Sequence, residues 1–149
     1  MSVVTIGIGQ CGIQLSTSFY ESLSKCNQDA PFWKMDNDRD VDAKKIANSV
    51  LIDMEPKVIQ ESMEKGLKST WSFSDAFYCK QSGSANNWAF GYNTHGPREV
   101  ENIMDIVRKT AEGTEYLRGF LSMMSLAGGT GSGLGLLYLI SVIIGRNIY

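Results

Sequence analysis

The sequence predicts an α/β fold: a Rossmann-like, three-layer α/β/α arrangement around a parallel sheet. Three observations predict it. Short β-branched or apolar runs alternate with helix-length stretches in the order β-α-β-α-β-α-β-α, which builds a parallel sheet with helices on both faces. Two strand-to-helix turns are rich in glycine, at Gly7-Ile8-Gly9-Gln10-Cys11-Gly12 and at Gly128-Gly129-Thr130-Gly131-Ser132-Gly133. Another strand ends in carboxylates, at Asp53-Met54-Glu55-Pro56. With 149 residues the chain has room for one domain and one core.

The elements follow in order. Ser2 to Ile6 is short and β-branched and reads as a buried first strand. A helix follows the first glycine turn, with Ile13, Leu15, Phe19, Tyr20 and Leu23 on its apolar side, as far as about Lys25. Cys26 to Lys45 is polar, with Asp36, Asp38, Asp40 and Asp42 at alternate positions. A calcium loop would need Gly at Val41 and Glu at Ala47, so the spacing predicts a solvated loop instead. Ile46 to Ile52 reads as the second strand, and Pro56 suits the first turn of a helix running to about Lys65, ahead of Gly66. Asp53 and Glu55 then have two open roles. They favour that helix's N-terminus, or they stand at the carboxyl edge of the sheet facing bound phosphates through Mg²⁺ and water.

A third strand is predicted around Ala76 to Cys79, then a long loop over Lys80 to Gly96 rich in Gly, Ser and Asn. Loops of that length are usually functional or disordered, and Trp88, Phe90 and Tyr92 argue against disorder. His95, the single histidine, has no evident Ser or Cys partner and reads as structural. Pro97 to Glu112 is the clearest helix, with Val100, Ile103, Met104, Val107 and Ala111 on one face and Gly113 as its stop. Phe120 to Leu126 supplies the fourth strand, and Leu134 to Ile144 the last helix.

The second glycine loop carries the chemistry. Between a strand and a helix, glycines let the backbone bend and approach a ligand closely, while the first helical turn presents unpaired N–H groups to an anion. That is a phosphate cradle, and a plain linker would not be framed by two core elements. No lysine follows the glycines, so a Walker-type loop is excluded and backbone amides and hydroxyls must do the holding. The first glycine turn is a literal G-x-G-x-x-G after a strand and before a helix. It suits a dinucleotide enzyme, another nucleotide binder, or close helix–strand packing.

Composition narrows the partners. The net charge is −2 and there is no basic block, so nucleic acid is not implied. Cys11, Cys26 and Cys79 are odd in number and contain no C-x-x-C pair, which argues against a disulfide framework or zinc site and for a reducing compartment. The N-terminus lacks a basic n-region and cleavage site, and the apolar run over 134–144 is too short to cross a bilayer. The expectation is a cytosolic protein with no membrane partner.

Taken together, Gly9-Gln10-Cys11-Gly12, Asp53-Met54-Glu55-Pro56, Gly83-Ser84-Ala85-Asn86-Asn87-Trp88-Ala89 and Ala127 to Gly133 resemble the tubulin family in order and near spacing. The resemblance covers nearly the whole chain and is to the N-terminal part of the tubulin nucleotide-binding domain. Met54 with Lys57-Val58-Ile59, His95-Gly96-Pro97-Arg98 and Ala127 most resemble the delta subtype, gamma-tubulin sharing some of these features.

The resemblance implies GTP or GDP with Mg²⁺ as the ligand. It implies that Gln10 and Cys11 line the phosphate and base side, and that Glu55, with Asp53 nearby, faces Mg²⁺ and the γ-phosphate. Ser84, Ala85 and Asn86 would form the loop that senses the γ-phosphate, and Ser125, Gly128, Gly129, Thr130 and Gly131 would cradle the phosphates. Ala85 departs from the family's usual glycine and puts a Cβ where positive φ is expected. The apolar stretch Leu136 to Ile148 is also less acidic than the family's helix there.

A whole tubulin continues into base contacts, a central helix, the loop with the catalytic acid and a second domain. Residues 1–149 are thus expected to be a partial nucleotide-binding domain with no catalytic residue of its own, because a partner subunit's acidic loop completes hydrolysis in the family. The expected role is a cytoskeletal, microtubule-related protein that meets other tubulin subunits or centriolar and basal-body proteins, in the cytoplasm and at the centriole, basal body or cilium. Two other readings stand beside it. One is an NAD-dependent Rossmann oxidoreductase, which leaves the second glycine loop unexplained and expects an acid about 20 residues past the first motif. The other is a non-binding remnant that acts by protein interaction.

Overall fold

The computed structural model describes residues 2–26, 31–34, 45–114 and 116–143. The Asp36 to Asp42 carboxylates and the end of the last predicted helix lie outside them. Four strands form one parallel sheet: β1 (Ser2–Ile8), β3 (Ser49–Asp53), β5 (Phe77–Cys79) and β6 (Leu117–Met124), in the spatial order β5-β3-β1-β6. Alternation along the strands sets the layers. Val4, Ile6 and Ile8 of β1 and Val50 and Ile52 of β3 face one side, where they pack on Ile103, Met104 and Val107 of helix α4 (Gly96–Glu112) and Tyr138 of α5 (Gly135–Ile143). Leu51 faces the other side, toward Ile13 and Tyr20 of α1 (Gly9–Lys25) and Ile59 of α2 (Pro56–Leu67). The three-layer α/β/α arrangement is thus the observed fold.

The order of the strands positions the site. The chain moves outward from β1 through β3 to β5, then returns to lay β6 against the opposite edge of β1. Connections from β1 and β6 therefore diverge at their carboxyl ends, and in open α/β sheets such a switch point is where ligands bind. Helix α1 sits unusually close to this pair of strands. A Cβ on Gly12 would strike the Met123 carbonyl, and one on Gly7 would come within 2.7 Å of Ser16 Oγ. Two glycines of the first motif thus serve close helix–strand packing.

Several boundaries differ from the sequence reading. The segment expected as one strand over 46–52 breaks at Asn48. Its first part, β2 (Lys45–Ala47), pairs in parallel with β4 (Trp71–Phe73) in a separate two-stranded sheet. That small sheet carries an aromatic cluster of Tyr20, Trp33, Trp71 and Phe73, with Tyr20 and Trp71 ring centroids 5.6 Å apart. Helix α2 runs through Gly66 to Leu67, because Gly66 packs over Ser72, where an added Cβ would lie 3.3 Å from its Cα. The predicted loop over 80–96 turns helical at α3 (Trp88–Phe90), continues as a wide turn over Gly91–His95 and enters α4. His95 is buried at 4% exposure beneath the Phe90 ring, consistent with a structural residue.

Candidate functional site

At the carboxyl ends of β1, β3 and β6 lies a cleft of about 260 Å³. Its walls include all twelve residues singled out in the sequence: Gln10, Cys11, Asp53, Glu55, Ser84, Ala85, Asn86, Ser125, Gly128, Gly129, Thr130 and Gly131. They come from four separate segments of the chain.

Two helical N-termini meet in this cleft. Helix α1 begins at Gly9 with no side-chain cap, and the wide turn Thr130–Leu134 leading into α5 also begins without one. The first N–H groups of each have no intrahelical acceptor, and both dipoles favour negative charge here. Gly9 (φ 70°) and Gly128 (φ 90°) take left-handed backbone. The two loops touch: a Cβ on Gly9 would lie 2.8 Å from the Gly131 nitrogen.

The asparagine loop closes the third side. Its residues 84–87 form a tight turn with Asn87 N–H donating to the Ser84 carbonyl at 2.8 Å. Both central residues, Ala85 (φ 47°) and Asn86 (φ 54°), lie at positive φ, the signature of a type I′ turn. The sequence expectation that Ala85 carries a Cβ at positive φ is therefore met. Ser82 N–H bonds the Met54 carbonyl at 3.1 Å, tying the loop to the end of β3. Ser84 Oγ lies 3.0 Å from Thr130 Oγ1, tying it to the glycine loop.

The carboxylates stand at the cleft's edge. Glu55 occupies the N-cap position of α2 but makes no side-chain cap hydrogen bond; its carboxylate lies instead against Gly83. Asp53 is only 4% exposed, and its Oδ1 accepts from Met54 N–H at 2.7 Å. Burial pushes the Asp53 carboxyl up to about 6, and the charge on neighbouring Glu55 adds a smaller push. Among the described residues, neither Lys nor Arg lines the cleft. No group of three or more His, Cys, Asp or Glu among the described residues could hold a metal by itself. The donor set fits Mg²⁺ held partly by phosphates, since that ion commonly takes one or two carboxylates plus substrate oxygens and water.

Five further lining residues were not assigned to the site from the sequence: Ile8, Gly9, Val58 and Ala127, which lie within the quoted motifs, and Gln14. Gln14 had a signal, since it follows Gln10 by one helical turn and shares its face. Val58 had none, because its apolar side chain reads as core. Gly129 lines the cleft, yet a Cβ there would not meet open space. The Cβ there would instead collide with Ser84 Cβ and stand 3.0 Å from the Ser84 carbonyl oxygen.

Comparison with known sequences decides the family. A model of the Tubulin/FtsZ family, GTPase domain, matches residues 2–143. The chain belongs to the Tubulin/FtsZ family. This tubulin-family domain is 40% identical over 151 residues to the Tubulin delta chain of Canis lupus familiaris, covering 91% of the chain and 33% of that protein. Identity to the Tubulin delta chain of Homo sapiens is likewise 40% over 151 residues, with the same coverage. The Tubulin beta chain of Bombyx mori is 35% identical over 150 residues, 92% of this chain and 33% of that one. The domain spans about a third of the length of the curated relatives it matches. Among the described residues no helix is long and apolar enough to cross a membrane.

Proposed function

We propose that this tubulin-family domain binds the phosphates of GTP or GDP, with Mg²⁺, in the cleft at the switch point. The observation that carries the proposal is the convergence of two uncapped helical N-termini in a cleft to which the described residues contribute no basic side chain. Such a site takes an anion on backbone amides and dipoles. Gly128, Gly129, Thr130, Gly131 and Ser125 hold the phosphates, and Gln10 and Cys11 face them from the start of α1. Ala85 and Asn86 stand at the terminal phosphate. Asp53 and Glu55 face Mg²⁺, which when bound neutralises phosphate charge. No residue of the chain is assigned a catalytic role.

By its likeness to delta chains, we assign the protein to the delta-type tubulins. Its setting is then the cytoplasmic cytoskeleton, at the centriole or basal body, with other tubulin subunits or centriolar proteins as partners.

The test is a thermal melt of the chain with Mg²⁺·GTP, with Mg²⁺·GDP and with NAD as control. Ligand at one hundred times its Kd stabilises the folded state by about 2.7 kcal/mol, which raises the midpoint by roughly 8 °C at this chain length. GTP and GDP should shift the midpoint and NAD should not. A shift with NAD alone, or none with GTP, would overturn the assignment.

A further inference from the structure

We infer that Ser84 is a positioning residue that aims the hydroxyl proton of Thr130 into the cleft, toward an anionic phosphate oxygen. The inference rests on the nucleotide reading above and adds a role that lining the cleft does not imply.

Three observations carry it. Ser84 is only 4% exposed, so water has little access to its hydroxyl. Its Oγ lies 3.0 Å from Thr130 Oγ1, either atom being able to donate. Its Cβ fills the space beside Gly129 that a side chain there would need, so the serine is packed on the glycine loop. The turn that presents it is fixed at both ends, by Ser82 N–H on the Met54 carbonyl and by Asn87 N–H on the Ser84 carbonyl.

A hydroxyl has one proton to give and two lone pairs to receive. If Thr130 donates to Ser84, Thr130 has no proton left for the cleft, and the one remaining belongs to Ser84, which is only 4% exposed. If Ser84 donates to Thr130, the Thr130 proton turns elsewhere, and Thr130 lines the cleft at the first position of its turn. A phosphate oxygen accepts and cannot donate, so it selects the second arrangement. The chain then runs from Ser84 Oγ to Thr130 Oγ1 to phosphate, each bond polarising the next. Because Ser84 is buried, a water molecule cannot readily replace it when it is removed.

The experiment measures Mg²⁺·GTP affinity by calorimetry for the wild-type chain, Ser84→Ala, Thr130→Val, Thr130→Ser and the combinations with Ser84→Ala. Ser84→Ala should weaken binding about fivefold, the size of one oriented hydrogen bond. The loss should persist beside Thr130→Ser, which keeps the hydroxyl, and vanish beside Thr130→Val, which removes it. An equal loss beside Thr130→Val would mean that Ser84 touches the ligand itself, and would overturn the inference. A lower melting point without ligand but unchanged affinity would reduce Ser84 to packing, and would also overturn it. If the wild-type chain binds no GTP, the nucleotide reading falls and this inference with it; binding by the wild type with an unaffected Ser84→Ala variant defeats the inference alone.

Discussion

Ala85→Gly should make the protein more stable, although it removes a methyl group and adds chain flexibility. Ala85 has φ 47° and Asn86 has φ 54°, consecutive left-handed residues in the turn closed by the Asn87 N–H bond to Ser84. An L-residue in that region costs roughly 1–2 kcal/mol through contact of its Cβ with the carbonyl oxygen. Glycine relieves that strain, but the unfolded chain gains freedom worth about 0.4–1 kcal/mol. The strain exceeds the entropy, so the net gain is about 0.5–1 kcal/mol. For a chain of 149 residues that raises the melting midpoint by roughly 2–3 °C.

The assay is a thermal melt and a urea titration of both proteins without nucleotide, with Ala85→Val as the opposite arm. A β-branched residue at positive φ is a steric outlier, so the valine variant should lose stability where glycine gains it. Asn86→Gly calibrates the pair, since asparagine tolerates left-handed backbone and should gain less than Ala85. A glycine variant with an unchanged or lower midpoint in both assays would refute the strain argument. It would mean that the turn relaxes its backbone around the methyl group at no cost.

Gly129→Ala should destabilise the protein by about 1–3 kcal/mol, because its Cβ meets Ser84 and the loop must move; the companion variant Ser84→Gly should recover part of that loss in urea titrations. Gly12→Ala should cost at least as much, since its Cβ strikes the Met123 carbonyl, which is backbone and cannot step aside; equilibrium unfolding checks it. Glu55→Gln should leave the ligand-free melting point within about 0.5 kcal/mol and weaken the Mg²⁺ dependence of GTP binding, because its carboxylate makes no cap bond. Asp53 sets a pH slope. Its folded carboxyl titrates at about 6 against an ordinary value near 4, so the folded state holds the proton more tightly. Its contribution is most favourable below pH about 4, declines as pH rises to about 6 and is level above, by at most about 3 kcal/mol; Asp53→Asn should remove that slope from urea midpoints.

The sheet was legible in the sequence because each strand is a compact apolar run, as Val50-Leu51-Ile52 shows, bounded by a turn signal. The break at Asn48 was not legible. Periodicity cannot tell one strand from two when both are apolar, and only the pairing of Lys45–Ala47 with Trp71–Phe73 separates them. The helical turn from Trp88 was hidden for another reason. Gly91 and Gly96 read as loop residues, yet glycine is required there for contact: a Cβ at Gly91 would strike the Gly129 carbonyl. The cleft residues were legible because loops at the carboxyl edge of a parallel sheet converge whatever their side chains do. The direction of each Cβ was not: Gly129 stands among the cradle residues, yet a Cβ there would meet Ser84.

These contacts place the glycines of the second loop in unequal roles. Gly129 is held between Ser84 on one side and Gly91 on the other, and Gly133 is pressed against the backbone of Trp88 and Tyr92. Among the described residues, Gly128 has only Asn86 Oδ1 near its Cβ position, at 3.7 Å, and its φ of 90° forms the bend. A loop fixed by backbone contacts on several sides has its amides aimed before any ligand arrives, so binding need not order it. The asparagine loop is held differently, by hydrogen bonds at Ser82, Ser84 and Asn87, one hydroxyl pair and a strained turn. Ligand-dependent movement should therefore concentrate in residues 82–87, while the loop over 128–133 stays as it is. Hydrogen exchange with and without Mg²⁺·GTP distinguishes the two: protection that changes around Asn86 and Asn87 but not at Gly133 supports the division, and equal change in both loops refutes it.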